Sequence, residues 1–379
     1  VLCVKRTHVA LDKPMEPSTQ RAREHHAGIH GLRGACVLAI FAYHVVNSGL
    51  LPPASSPSVA LWLWLCDGLR YGVEVFFMIS GYVIVRSLQR HANVALFARD
   101  RVLRIFPLWL PLAVAMLAAA LAASHMSGIP SRALPSAWTL VPSLLILAPV
   151  LPVTNIHPAQ WSLCYELFFY VFAAAAWQVR HRALALRLLC LAPALCFVVL
   201  FPRALFFVPG VLVALYEPRL RERVALMRWA WIGLPLAWVA WLSTGTENAA
   251  LSRTLIDFVA QGQGLLAVAA FLGGSSFFAW IVLFRAHPER HVLGTQGMQW
   301  LGTISFSFYL VHPIVMGGVK RVLLPVLHLS TWPAILVFVV VSLAGSCVAS
   351  YLTWKYLEVG LRRWLLSHSR TATPLAVHR

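Results

Sequence analysis

Hydrophobic residues in this chain fall in long blocks rather than at amphipathic spacing, with apolar runs at about 32–50, 71–88, 105–124, 161–179, 186–201, 204–216, 228–243, 260–283, 297–317 and 333–356. A membrane-spanning helix needs roughly 20 consecutive apolar residues, and a helix apolar on every side has no face to turn to water. The pattern predicts an all-α, polytopic membrane protein with about ten transmembrane helices. Two of the runs meet at Phe201-Pro202-Arg203, where one helix is expected to end and the next to begin. A further apolar stretch, Ser136 to Val153, carries Pro142, Pro149 and Pro152 and reads as an interfacial or re-entrant segment, because proline removes helix hydrogen bonds.

The basic residues test this assignment, since Lys and Arg collect in cytoplasmic loops. With the N-terminus inside, twenty-five of them fall in six cytoplasmic segments. Six fall outside: Arg70, Arg132, Arg203, Arg253, Lys320 and Arg321. That asymmetry supports ten crossings with both termini cytoplasmic. One membrane domain, 31–364, is expected between a polar basic head, 1–30, and a short tail, 365–379. The first apolar run is about as long as a bilayer span, so no cleaved signal peptide is expected. Residues 1–14, upstream of Met15, read as an extension without structural role.

Composition narrows the function. The 379 residues are 59% hydrophobic and 12% charged, where a soluble protein carries roughly 25% charged residues, so a soluble enzyme is excluded. The formal net charge of +18 would suit nucleic acid if it were concentrated; spread over six loops, it reads as topology. The seven cysteines show no metal-site spacing and read as buried thiols, so no metal is expected. No GxSxG, Walker A, HExxH or GxGxxG pattern stands in a suitable context.

The chemistry must then come from ionisable groups inside the spans, each costing at least ~2.5–3.5 kcal/mol near the bilayer centre. Arg33 and His44 are eleven positions apart, almost three whole turns, so they share a helix face ~16 Å apart along the axis. This places an anion-binding Arg at the inner boundary below a general base about halfway across, or else a snorkelling Arg and a core His. Arg101 and Arg104, one helical turn apart, form a two-pronged phosphate donor or ordinary inner-face charge. Glu74 and Glu166 could each orient a buried imidazole or pair with an Arg. His312 is a second pocket histidine or a packed interfacial one.

In this order the segments resemble the acyltransferase-3 family of integral membrane acyltransferases. Gly31-Leu32-Arg33-Gly34 followed by Tyr43-His44 resembles the family's R-x10-H signature, and Gly72-Val73-Glu74 through Ile79-Ser80-Gly81 its GV(D/E)xFFxxSG segment. Arg101 to Arg104 is similar to its RxxR, Trp161-Ser162-Leu163 with Glu166 to its WSLxxE, and Ser305 to His312 to its SYSxYLxH. The match runs from Gly31 to about Trp364. Tyr43, Glu74 and Phe306 stand where Phe, Asp and Tyr are usual, and the C-terminal SGNH domain that some members carry is not expected here.

The resemblance implies O-acyl transfer from acyl-CoA, acetyl-CoA as the expected donor, with its phosphates near Arg33, Arg101 and Arg104. His44 would deprotonate a sugar hydroxyl, or carry the acyl group itself, with Glu166 or Glu74 orienting it. Trp161, Ser162, Tyr309 and His312 would line the substrate pocket. By analogy with stand-alone members acting on polysaccharides such as xanthan, the acceptor is a bacterial exopolysaccharide or its lipid-linked precursor. The setting is the bacterial inner membrane, with membrane lipids and polysaccharide assembly proteins as partners and no nucleic acid. The rival reading is a transporter or flippase for a lipid-linked sugar, which would show paired broken helices in matching halves; no convincing internal symmetry is visible. A structural subunit of an assembly complex would leave His44 without a role.

Overall fold

The computed structural model describes residues 17–91, 93–127, 134–222, 228–244, 254–283, 292–328 and 331–371. Among them are fifteen α-helices and no strand: α1 (Pro17–Val46), α2 (Pro57–Asp67), α3 (Gly72–Arg90), α4 (Val94–Ser127), α5 (Ala137–Leu144), α6 (Gln160–Gln178), α7 (Leu184–Leu200), α8 (Phe207–Glu222), α9 (Gly233–Ser243), α10 (Leu255–Ala260), α11 (Gly264–Leu283), α12 (Gln296–Gly318), α13 (Leu324–Leu327), α14 (Thr331–Thr353) and α15 (Arg362–Thr371). Each of the ten apolar runs corresponds to a helix. In the Pro-rich stretch only the short α5 forms before the chain passes into turns.

Six of the described stretches are long and apolar enough on their own to cross a membrane. Helices α7 and α8 pass as a pair, bent by 118° where Pro202–Phe206 forms a 3₁₀ turn. The break is where Phe201-Pro202-Arg203 predicts it. Helix α1 departs from expectation at both ends. It starts at Pro17, inside the expected polar head, and stops at Val46, where Asn47 and Ser48 enter a turn and Gly49 takes φ +72°. These are turn formers, and they end the helix although the apolar run continues to Leu50. At the other end of the chain, α15 carries the helix past the expected domain boundary at Trp364. Residues 1–16 and 372–379 lie outside the described residues.

Side-chain contacts fix the relative directions of the helices. Arg33 meets Ser305 while His44 meets His312, so α1 and α12 run side by side in the same direction. Helices α3 and α8 are likewise parallel, through Glu74 with Arg203 and Tyr82 with Glu217. Helices α12 and α14 with its extension are antiparallel, through Ser307 with Glu358 and Val315 with Gly345.

Lipid tails are as apolar as leucine, so helix association in a membrane relies on close packing at small residues. Glycines supply it here. A Cβ on Gly31 would fall on the Leu293 backbone, one on Gly302 on the His30 carbonyl, and one on Gly34 would crowd the Met298 carbonyl. Gly81 and Gly210 meet where α3 crosses α8, with the Phe207 and Met78 carbonyls in the space a side chain would need. The glycines of the GLRG and SG segments are therefore explained by helix crossings. We expect Gly81→Val to cost at least the ~1–3 kcal/mol of an overpacked core, read as a lower unfolding midpoint in detergent by fluorescence-detected size exclusion. An unchanged midpoint would mean that α3 and α8 do not pack this closely.

Two topological charges turn out to be structural. Glu217, almost fully buried, accepts hydrogen bonds from Tyr82 (2.9 Å), Arg86 and Arg221 (2.8 Å), closing the α3–α8 crossing at its far end. The cysteines also correct the sequence reading: Cys36 and Cys164 are buried, Cys66, Cys190 and Cys347 are partly so, and Cys196 is exposed on α7. Cys3 lies outside the described residues.

Candidate active site

Five helices, α1, α3, α4, α6 and α12, line a partly open chamber of about 70 Å³ whose wall is more apolar than polar, Val73, Phe76, Phe77 and Ile79 among it, and into which a cluster of charged side chains faces. At ~10–15 Å³ for each water, that is room for several waters or a slender chain, and not for a nucleotide. Arg33 from α1 and Arg101 and Arg104 from α4 all face it, with Glu166 and Tyr170 from α6 and Ser305 and Tyr309 from α12. The one-turn spacing of Arg101 and Arg104 does put both guanidinium groups on one side of α4.

The arginines are held differently. Arg33 Nε donates to Ser305 Oγ at 2.9 Å, and Ser305 donates in turn to the Gly302 carbonyl at 2.8 Å. Arg101 donates through Nη2 to Ser87 at 3.2 Å and packs over the Phe97 and Tyr170 rings, while its buried Nε has no partner. Arg104 lies over the Phe306 ring at 5.9 Å and has no hydrogen-bond partner among the described residues. Glu166 accepts from Ser80 at 3.1 Å and from Tyr170. A second carboxylate, Glu358, accepts from Ser307 at 2.9 Å and acts electrostatically on Arg33 and Arg104. It sits in a π-helical stretch, Trp354–Leu361, a distortion that often accompanies functional sites. Three guanidinium groups with unused donors, against two carboxylates, leave the chamber suited to an anion.

The histidines stand apart from this chamber. His44 lies in the last turn of α1, half-buried, rather than deep within the span. Its ring is 5.0 Å from that of Tyr43 and 5.3 Å from that of His312. His312 is 1% exposed and donates through Nδ1 to the Phe308 carbonyl at 2.8 Å. Tyr309 links the two regions, since it lines the chamber and its ring is 6.2 Å from that of His312. Ser162 Oγ donates to the Ala159 carbonyl, so in its 2.9 Å contact with Tyr309 the phenol is the donor. A buried His157, in the loop before α6, donates to the Leu310 carbonyl at 2.7 Å and accepts from the Ala159 amide at 3.0 Å. Burial pushes its pKa down to about 4, so it is neutral with both nitrogens engaged.

Neither predicted carboxylate orients an imidazole. Glu74, with no exposed surface, is bound by Arg203, whose Nε donates to Oε1 at 2.6 Å. Arg203, expected to be an outer-loop charge, sits 4.2 Å over the Trp161 ring and 5.6 Å over Trp241. Trp161 is thereby fixed beside Arg203 and does not line the chamber, whereas Ser162 and Tyr309 do. The structure thus brings together Arg33, Arg101, Arg104, Glu166, Ser162 and Tyr309. It places His44 with His312, and Glu74 with Trp161, in separate settings. Tyr170 and Glu358 were missed by sequence reasoning, and Ser80 and Ser305 entered it only as motif letters without a role; a hydroxyl inside an apolar run does not say what it contacts, and Glu358 follows a span as one acidic residue among basic ones.

Residues 26–351 match a family model described as an acyltransferase domain. A curated relative, Acyltransferase MdmB of Streptomyces mycarofaciens, is 25% identical over 309 residues, covering 76% of this chain and 78% of the relative. No solved structure matches the chain.

Proposed function

The chain belongs to the acyltransferase-3 family and is a membrane acyltransferase, and from that premise we propose that it transfers an acetyl group from acetyl-CoA to a hydroxyl of a bacterial exopolysaccharide or its lipid-linked precursor. The observation that carries the donor assignment is the arginine chamber: Arg104 and part of Arg101 have donors to spare, and a phosphate or pyrophosphate is the ligand that guanidinium pairs fit. The nucleotide would stay outside, held at the mouth, while the slender acyl-bearing arm enters. The acceptor hydroxyl would lose its proton to His44, which is reachable because it is half-buried at the end of α1. Ten crossings of the bacterial inner membrane, both termini cytoplasmic, would put the chamber's basic side toward the cytoplasmic CoA pool.

The test is purified protein in detergent or nanodiscs with labelled acetyl-CoA and a mannose-containing polysaccharide. Label is expected on the polysaccharide as an alkali-labile ester. Label on no polysaccharide or lipid-linked sugar would refute the acceptor class, and no donor binding at all would refute the donor. Arg104→Ala is expected to weaken acetyl-CoA binding by about 10- to 100-fold, the worth of a charge-assisted hydrogen bond, with normal folded yield. Calorimetric titration checks it, and unchanged affinity would remove Arg104 from the donor site.

A further inference from the structure

His312 is one of the most enclosed polar groups in the protein, and its hydrogen bonding is incomplete. A carbonyl oxygen only accepts, so the 2.8 Å contact with the Phe308 carbonyl places the proton on Nδ1 and leaves Nε2 of the neutral ring as a lone-pair acceptor. That Nε2 is buried without a partner. An unsatisfied buried acceptor costs about 1–3 kcal/mol, and packing holds the ring so that it cannot turn to relieve this. Phe308 stacks on it with centroids 5.5 Å apart at 15°, and Phe41 abuts it edge-on at 6.4 Å.

Of the ring-bearing polar side chains beside this one, His157 has both nitrogens committed to the backbone and the Tyr309 hydroxyl is committed to Ser162. His44 alone of these is uncommitted: neither of its nitrogens has a hydrogen-bond partner among the described residues, and its ring is 5.3 Å from His312. The two rings are tilted by 46°. Hydrogen bonds between catalytic groups are commonly long in the unliganded enzyme and tighten when substrate arrives.

We infer that His312 is a positioning residue for acyl transfer, its Nε2 accepting the N–H of His44 so that the other nitrogen of His44 faces the acceptor hydroxyl. The inference rests on the acyl-CoA reading above and assigns the orienting role to an imidazole in place of Glu74 or Glu166. As the hydroxyl oxygen attacks the thioester carbonyl carbon, His44 takes the hydroxyl proton and becomes imidazolium, which the His312 lone pair stabilises. The tetrahedral intermediate collapses with cleavage of the C–S bond, and the thiolate recovers the proton from His44. An ester and free CoA thiol leave, and both rings end in the tautomers they began with.

The test uses full-length protein and two substitutions. His312→Phe keeps the aromatic packing and removes the acceptor; His312→Gln keeps a polar atom near the Nε2 position. For His312→Phe, kcat is expected to fall by about 10²-fold or more with the KM for acetyl-CoA unchanged, and His312→Gln should recover part of the loss. Added to His44→Ala, either substitution should cost nothing further, as expected of residues acting as a unit. Should the Phe variant not fold, the Gln variant carries the same cycle. Wild-type kcat in His312→Phe, a loss confined to KM, or losses that multiply with that of His44→Ala would each overturn the inference. Wild-type protein that transfers no acyl group would instead overturn the reading beneath it.

Discussion

His44→Ala is expected to lower acyl transfer by about 10²- to 10⁴-fold, the usual contribution of a general base, while acetyl-CoA binds nearly as well as to wild type. The separation follows from the architecture. The arginine chamber that would hold the donor's phosphates does not include His44, and Arg33 and His44 lie eleven residues apart on α1, ~16 Å along its axis. Removing the imidazole therefore leaves the donor contacts intact, whereas Arg104→Ala removes a donor contact and leaves the base. Labelled transfer and equilibrium donor binding, measured on the same preparations, give opposite signatures for the two variants. Undiminished transfer in His44→Ala would show that the base is another group. A parallel fall in donor affinity would show that the thioester arm already rests on this ring in the resting complex, so that binding and chemistry share a residue.

Much of the fold was legible because the bilayer imposes one length on every span. The apolar runs locate the helices, and Pro202 locates the sharp bend between α7 and α8. What the pattern does not carry is which side of each helix meets protein. A span apolar all round gives no period by which to tell lipid-facing from packed residues, so Cys196 read as a buried thiol and is exposed beside an equally exposed Leu195. The same pattern misplaced His44: the run continues to Leu50, but Asn47, Ser48 and Gly49 end the helix at Val46. Within the site, Arg33, Arg101 and Arg104 were each recognisable as basic residues at a span boundary. Their convergence was not, because it depends on Ser305 of α12 reaching Arg33 across 272 residues of sequence. Arg203 was misread for a related reason. The positive-inside rule assigns a side of the membrane and says nothing about whether a charge turns inward to a carboxylate.

That carboxylate sets the largest expected effect on folding. Glu74→Ala is expected to destabilise the protein by about 3–5 kcal/mol, because breaking a buried pair strands the remaining charge. Arg203 would be left over Trp161 and Trp241 with no carboxylate to neutralise it. Arg203→Ala should be comparably severe, leaving Glu74, whose Oε2 already lacks a partner, without either. The double replacement Glu74→Leu with Arg203→Met discriminates a structural pair from a catalytic carboxylate, since exchanging a buried ion pair for apolar residues of similar volume is often neutral or stabilising. If the pair only ties α3 to the α7–α8 bend, the double variant should recover much of the unfolding midpoint and also the acyl transfer. If Glu74 orients the catalytic imidazole, the double variant should fold and remain inactive, and the assignment of that role to His312 would then be the one to give up.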